Sequence, residues 1–150
     1  MAQTPPRRSA YRWFLDMPTR WGDQDSQGHV NNAAYYFYFD TLVARFLHGL
    51  GRLGAGERAE TFVVVETLCR HHAPAFFPDV LSGGLRVARI GQSSIRYEIG
   101  LFRPGQETAC AEGHFIHVQV DAATQARPLP VAPELREALA PLMAPDAGRV

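Results

Sequence analysis

Only one long segment of this chain has helical periodicity, Tyr35 to Leu50, and the other long periodic segments read as strands. Tyr35, Phe39, Leu42, Val43, Phe46 and Leu50 fall on one helical face. The opposite face carries Tyr36, Asp40 and Ala44 and is not strongly charged, so the helix is expected to be buried on most sides. Gly49, Gly51, Gly54 and Gly56 end it. Before it, Tyr11 to Arg20 alternates, with Tyr11, Trp13, Leu15 and Met17 pointing one way. Pro18 lacks a ladder donor and belongs near an edge or strand end. After it come Phe62 to Cys69, Val80 to Ile90, Ile95 to Phe102 and Thr108 to Val120. Gly91-Gln92-Ser93-Ser94 and Pro104-Gly105 are short turns, and short turns join antiparallel neighbours. A lone long helix must be covered by that antiparallel sheet, which makes an α+β domain. Pro133 to Leu139 reads as a short terminal helix, with Pro133 in its first turn.

With 150 residues, one domain with a single core is expected, residues 11–150 behind a polar, flexible lead from Met1 to Ala10. Apolar residues make up 46% and charged residues 20%, the balance of an ordinary folded globule. Net charge is zero, which argues against general nucleic-acid binding. No apolar run reaches the roughly 18 residues of a membrane span. The lead lacks the apolar stretch of a signal peptide, and a cytoplasmic setting is expected. Cys69 and Cys110 each lie in a strand-like run and read as buried thiols in a reducing compartment. There is no Gly-x-Ser-x-Gly elbow, phosphate loop or dinucleotide fingerprint. His71-His72 and the pair His114 and His117 complete no zinc spacing. Residues three apart on a strand face opposite ways, so no metal site is expected.

Chemistry concentrates in Gly22-Asp23-Gln24-Asp25-Ser26-Gln27-Gly28-His29-Val30-Asn31-Asn32, which runs straight into the helix. Asn31 or Asn32 is a good N-cap. A helix N-terminus offers unpaired N–H groups and the positive end of a dipole. A carboxylate aimed at that point can attack a carbonyl, or direct water onto it, while the N–H groups polarise its oxygen. The same aspartate can also do no more than cap a turn or the helix.

The block, with the strand–helix–four-strand order, resembles the hotdog-fold acyl-CoA thioesterases of the 4-hydroxybenzoyl-CoA thioesterase type. Pro74 to Leu81, Ile90 to Ser94, and Val118 to Asp121 followed by Arg127-Pro128-Leu129-Pro130 resemble further pieces of that family in order. The block also resembles that of the plant acyl-carrier-protein thioesterases, which carry two hotdog units where this chain has length for one. The resemblance implies a five-stranded antiparallel sheet wrapped around one long helix. It implies Asp25 as nucleophile or general base, with Asp23 structural, and the Asn32 N–H as the oxyanion donor. Gly28 would supply a tight turn or a close backbone approach to the thioester, His29 would orient the carboxylate or water, and Tyr35 would line the acyl pocket or pack in the core. Gly91, Ser93 and Ser94 would meet the pantetheine arm and Arg127 a coenzyme A phosphate. Asp40 on the helix is the spare carboxylate. The implied substrate is an acyl-CoA, with no cofactor. A carrier-protein thioester, or acyl-CoA binding without catalysis, is the alternative. Relatives pair sheets edge to edge as dimers, often joined into tetramers, with each site built from two subunits. The long fifth strand is expected to be an exposed edge that a second copy covers.

Overall fold

The structure, a computed structural model, describes residues 3–53 and 58–144. Its elements are β1 (Trp13–Pro18), α1 (Asn32–Gly49), β2 (Glu60–His71), β3 (Val80–Ile90), β4 (Ser94–Phe102), β5 (Ala111–Asp121) and α2 (Pro133–Leu139). The strands form one antiparallel sheet in the order β1-β3-β4-β5-β2. The sheet curls around α1, as the resemblance implies. Of the glycines expected after the helix, Gly54 and Gly56 lie outside the described residues.

α1 begins at Asn32 because Asn31 caps it: the Asn31 side-chain oxygen accepts the Ala33 N–H. Phe39, Leu42, Val43 and Leu47 have no exposed surface. Removing such side chains from water stabilises the fold by about 1.5–3 kcal/mol each. Phe39 reaches the sheet because Gly113 faces it, and a Cβ there would collide with the Phe39 ring and the Leu68 carbonyl. Phe39 also meets Phe115 edge-on, with centroids 6.2 Å apart.

The expectation of a helix buried on most sides does not hold. Tyr36, Phe37, Asp40, Thr41, Arg45 and Leu50 are exposed, Phe37 by 68%. The single sheet covers one side of the helix and leaves the other open. Tyr11 also departs from the alternation. It packs with Phe102 and Ala109, and with Phe14, apart from the main core that Trp13, Leu15 and Met17 join. A 3-10 turn at Arg8–Ala10 precedes it and strand pairing starts only at Trp13, so alternation does not extend back to Tyr11. The lead is docked from Pro6 onward: the Pro6 carbonyl accepts the Ala109 N–H at 3.0 Å, and the Arg8 N–H donates to the Glu107 carbonyl at 2.8 Å.

A further correction concerns the sheet edge. β5 is interior, paired to β4 on one side and β2 on the other. The edges are β1 and β2, because strand order in the sheet does not follow chain order. β2 has 12 residues and a bulge between Val64 and Glu66, and it exposes Val64 by 46% and Val65 by 58%. Among the described residues no helix is long and apolar enough to cross a membrane.

Candidate active site

The segment between β1 and α1 is a small hairpin. Its shoulders are bridged at Gln24 and Val30, and its tip closes where the Asp25 N–H donates to the His29 carbonyl at 2.8 Å. The Gly28 N–H returns to the Asp25 carbonyl at 3.1 Å. Gly28 sits at φ +77°, a backbone conformation natural to glycine, which gives its expected turn role a physical basis.

This geometry fixes the Asp25 carboxylate. Its Oδ1 accepts the Gln27 N–H at 2.8 Å and the His29 N–H at 3.2 Å. Its Oδ2 accepts from no group among the described residues. One oxygen therefore orients the carboxylate, in keeping with a turn-capping role, and the other has no partner among the described residues. The hairpin's end is held where the Val30 N–H donates to the Ala75 carbonyl at 2.9 Å and the Asn31 N–H to the Asp23 carbonyl at 2.8 Å.

Of the first N–H groups of α1, Ala33 donates to the cap side chain and Ala34 to the Asn31 carbonyl. The Asn32 N–H donates to no group among the described residues. It sits at the dipole-positive end of the helix with its hydrogen-bonding capacity free.

A cavity of about 410 Å³ lies at this helix end, lined by Asp25, His29, Val30, Asn32, Tyr35 and the run His71 to Pro74. Four of the expected site residues thus meet in one place. Sequence reasoning misses its far wall, because it weighs His71 and His72 only as metal ligands. The His72 and Ala73 N–H groups both donate to the Cys110 carbonyl, at 2.8 and 3.0 Å, which fixes the wall against the start of β5. The His71 ring stands edge-on to Tyr35 with centroids 4.6 Å apart. Burial, and then the neighbouring His72, pull the His71 pKa below its ordinary value. Burial pushes the Tyr35 hydroxyl up to about 12, so it stays a neutral donor. His72 Nε2 lies 3.1 Å from Glu112 Oε1.

The remaining expected residues lie elsewhere in the chain. Gly91, Ser93 and Ser94 form the β3–β4 turn, where the Gln119 N–H donates to the Ser93 carbonyl at 2.8 Å. Arg127 is paired with Asp121 at 3.2 Å. In the sheet register His71 faces Ala111, while Ser94 faces Val118. The seven steps from Ala111 to Val118, at about 3.3 Å each, separate the two groups by roughly 23 Å. Asp40 is exposed on α1 and does not line the cavity. Another cavity, about 390 Å³ between β1 and α1, holds none of the expected site residues. His114 and His117 stand apart. His114 Nε2 is 2.6 Å from Glu66, whereas His117 packs among Phe62, Tyr97 and Phe115. Among the described residues no three His, Cys, Asp or Glu side chains are gathered as metal ligands.

A profile of the thioesterase-like superfamily matches residues 19–139. No curated protein matches the chain in sequence. Among solved structures, the PA5185 protein of Pseudomonas aeruginosa strain PAO1 is 44% identical, over 94% of this chain and 98% of that one, with a TM-score of 0.88. A thioesterase from Thermus thermophilus, solved with coenzyme A and Zn, is 26% identical over 89% and 95% of the two chains, with a TM-score of 0.74. The gentisyl-coenzyme A thioesterase BH1999 is alike in fold, with 22% identity over 85% and 99% of the two chains and a TM-score of 0.72.

Proposed function

The chain belongs to the thioesterase-like superfamily, and we propose that it hydrolyses an acyl-CoA thioester to the free acid and coenzyme A. The reading rests on one observation: Asp25 and Asn32 line the same cavity, and among the described residues one Asp25 carboxylate oxygen and the Asn32 N–H have no hydrogen-bond partner. The thioester carbonyl oxygen accepts the Asn32 N–H. As general base, Asp25 takes a proton from water while the water oxygen bonds to the carbonyl carbon. The carbonyl electron pair moves onto the oxygen, where the N–H holds it. Collapse of this adduct breaks the C–S bond, and the thiolate takes up the proton from Asp25. As nucleophile, Asp25 would instead bond to the carbon itself, expel the thiolate, and leave an anhydride for water to cleave. Neutral Tyr35 lines the acyl side, and His29 stands at the carboxylate's rim.

The distance from this cavity to Ser93, Ser94 and Arg127 supports a site shared by two copies. β2 is a free edge with two exposed valines. If β2 pairs with its counterpart antiparallel about its middle, the His71 end of one strand meets the Glu60 end of the other. That carries the partner subunit's β3–β4 turn and the partner subunit's Arg127 toward the cavity, where a coenzyme arm would pass. The relative from Thermus thermophilus, solved with coenzyme A, supports the coenzyme as the thiol. A cytoplasmic setting fits the free thiols of Cys69 and Cys110.

The test is thiol release from short, long and aryl acyl-CoAs, with wild type beside Asp25→Asn. Turnover lost by at least about a hundredfold in the variant, roughly 2.7 kcal/mol of barrier, is the expected result. An equally active Asp25→Asn removes the catalytic role. A wild type that binds acyl-CoA without releasing thiol turns the reading toward a carrier-protein substrate or a binding role.

A further inference from the structure

Asp23 is the only buried carboxylate among the described residues, 3% exposed. Burying a charge is costly unless it is fully paired, and an apolar side chain would hold a loop down more cheaply. Asp23 is paired on every side. Its Oδ2 accepts the Tyr38 hydroxyl at 2.5 Å and the Arg20 N–H at 2.8 Å. Its Oδ1 accepts Arg20 Nε and Nη2 at 3.0 and 2.8 Å. Its own carbonyl takes the N–H of Asn31, the cap of α1, at 2.8 Å. One residue therefore joins the start of the hairpin to its end, and ties both to a side chain between one and two turns into the helix.

We infer that Asp23 and Tyr38 are positioning residues, a strut that sets the Asp25 carboxylate against the N-terminus of α1. The inference rests on the catalytic reading of Asp25. Directed hydrogen bonds, unlike apolar contact, fix orientation as well as proximity. From Asp23 the chain is held by hydrogen bonds up to its reacting end: Gln24 is bridged to Val30, and one oxygen of the Asp25 carboxylate accepts the Gln27 and His29 N–H groups. The Asn32 N–H belongs to the same helix that carries Tyr38. The strut thus controls the separation between the group that delivers the attacking oxygen and the group that receives the oxyanion. A misplacement of about 1 Å at such a distance costs on the order of a hundredfold in rate. The charge on Asp23 belongs to the device: burial alone would raise its pKa, but the hydrogen bonds from Tyr38 and Arg20 outweigh it and keep the group ionised.

The experiment compares kcat and KM for wild type, Tyr38→Phe, Asp23→Asn and Asp25→Asn, each verified as folded by near-UV circular dichroism. Tyr38→Phe is expected to lower kcat by about tenfold to a hundredfold while KM stays within about twofold. In the Asp25→Asn background the same change is expected to cost nothing further, because the group being positioned is gone. A purely structural bond would lower stability and leave kcat of the folded enzyme alone, or would lower activity equally in both backgrounds; either result overturns the inference. If Asp23→Asn fails to fold, Tyr38→Phe decides alone, since it deletes one hydroxyl and leaves the Arg20 contacts. An inactive Asp25→Asn beside a fully active Tyr38→Phe removes only the strut. An active Asp25→Asn removes the catalytic reading and the strut with it.

Discussion

Each end of the helix–sheet unit places a histidine against an aromatic ring, and the two ends use it oppositely. At the N-terminal end of α1, His71 stands edge-on to Tyr35 and remains exposed beside a cavity. At the other end, His117 stacks on Phe62 with centroids 5.9 Å apart and is 7% exposed. Among the described residues neither ring nitrogen of His117 has a hydrogen-bond partner, nor do the Tyr97 hydroxyl on β4 and the side-chain oxygen of Gln119 on β5. Burial pulls the His117 pKa down to about 4. The near end sets Asp25, His29 and His71 beside a cavity, with the Asp25 carboxylate held by backbone N–H groups. The far end shuts His117 and Tyr97 in apolar packing, so these two resist charge. Burial, not residue type, separates the two histidines.

The largest expected effect tests that contrast through acid. An unfolded chain protonates a histidine near pH 6.5, whereas folded His117 resists until about pH 4. Below 6.5 the unfolded state therefore binds a proton that the folded state refuses. Stability falls as pH drops from 6.5 to 4 and this contribution then levels off. The loss amounts to about 3 kcal/mol across that window. His117→Phe should remove it, so urea unfolding of wild type and variant at pH 7 and pH 4.5 should show a much smaller pH difference in the variant. Equal differences would mean that the far end is wet after all. Next in size is the edge between the two ends. Val65→Lys puts a charge on the free edge of β2, a device that blocks strand pairing. If two copies share the site across β2, the variant runs as a monomer in light scattering and loses at least about tenfold in kcat/KM. A fully active monomer would confine the site to one chain.

What is readable in the sequence follows the same division between local and distant. Asp25, Gly28, His29, Asn32 and Tyr35 occupy positions within one stretch of eleven, and turn and cap chemistry alone brings them to one helix end. The bounds of β3 and α2 also follow from local pattern, Val80 to Ile90 between breaker residues and Pro133 at a first turn. The wall from His71 to Pro74 is not readable, because it reaches Tyr35 only through the pairing of β2 with β5, whose partners lie about 40 to 60 positions apart. The same gap misleads the edge assignment: β5 is last among the strands in the chain yet interior in the sheet, a matter of strand order that no single strand's pattern carries. Asp23 reads as structural only through the resemblance, which sets the register on Asp25. Its link to Tyr38 spans a loop and nearly two helical turns, and neither residue alone announces it.

Arg127 carries the smallest predicted effect and the most pointed one, because it joins the two ends only if the molecule pairs. Within one chain it sits at the far end, its side chain 67% exposed and its partner Asp121 at the end of β5. Such an exposed pair adds little to stability, so Arg127→Ala should leave the melting temperature unchanged. A monomeric site gives the substitution no route to the cavity, and KM should then also be unchanged. In a pair joined through β2, the partner subunit's Arg127 comes round to the coenzyme side, where a guanidinium suits a phosphate. KM for acyl-CoA should then rise by about threefold to tenfold with kcat within about twofold, since a phosphate contact is made equally in ground and transition states. The same variant assayed on a short acyl thioester that lacks the nucleotide should behave as wild type. A KM rise on both substrates would mean a disturbed loop and not a lost phosphate contact. A rise on acyl-CoA alone would show that the end which looks structural in one chain is functional in the next.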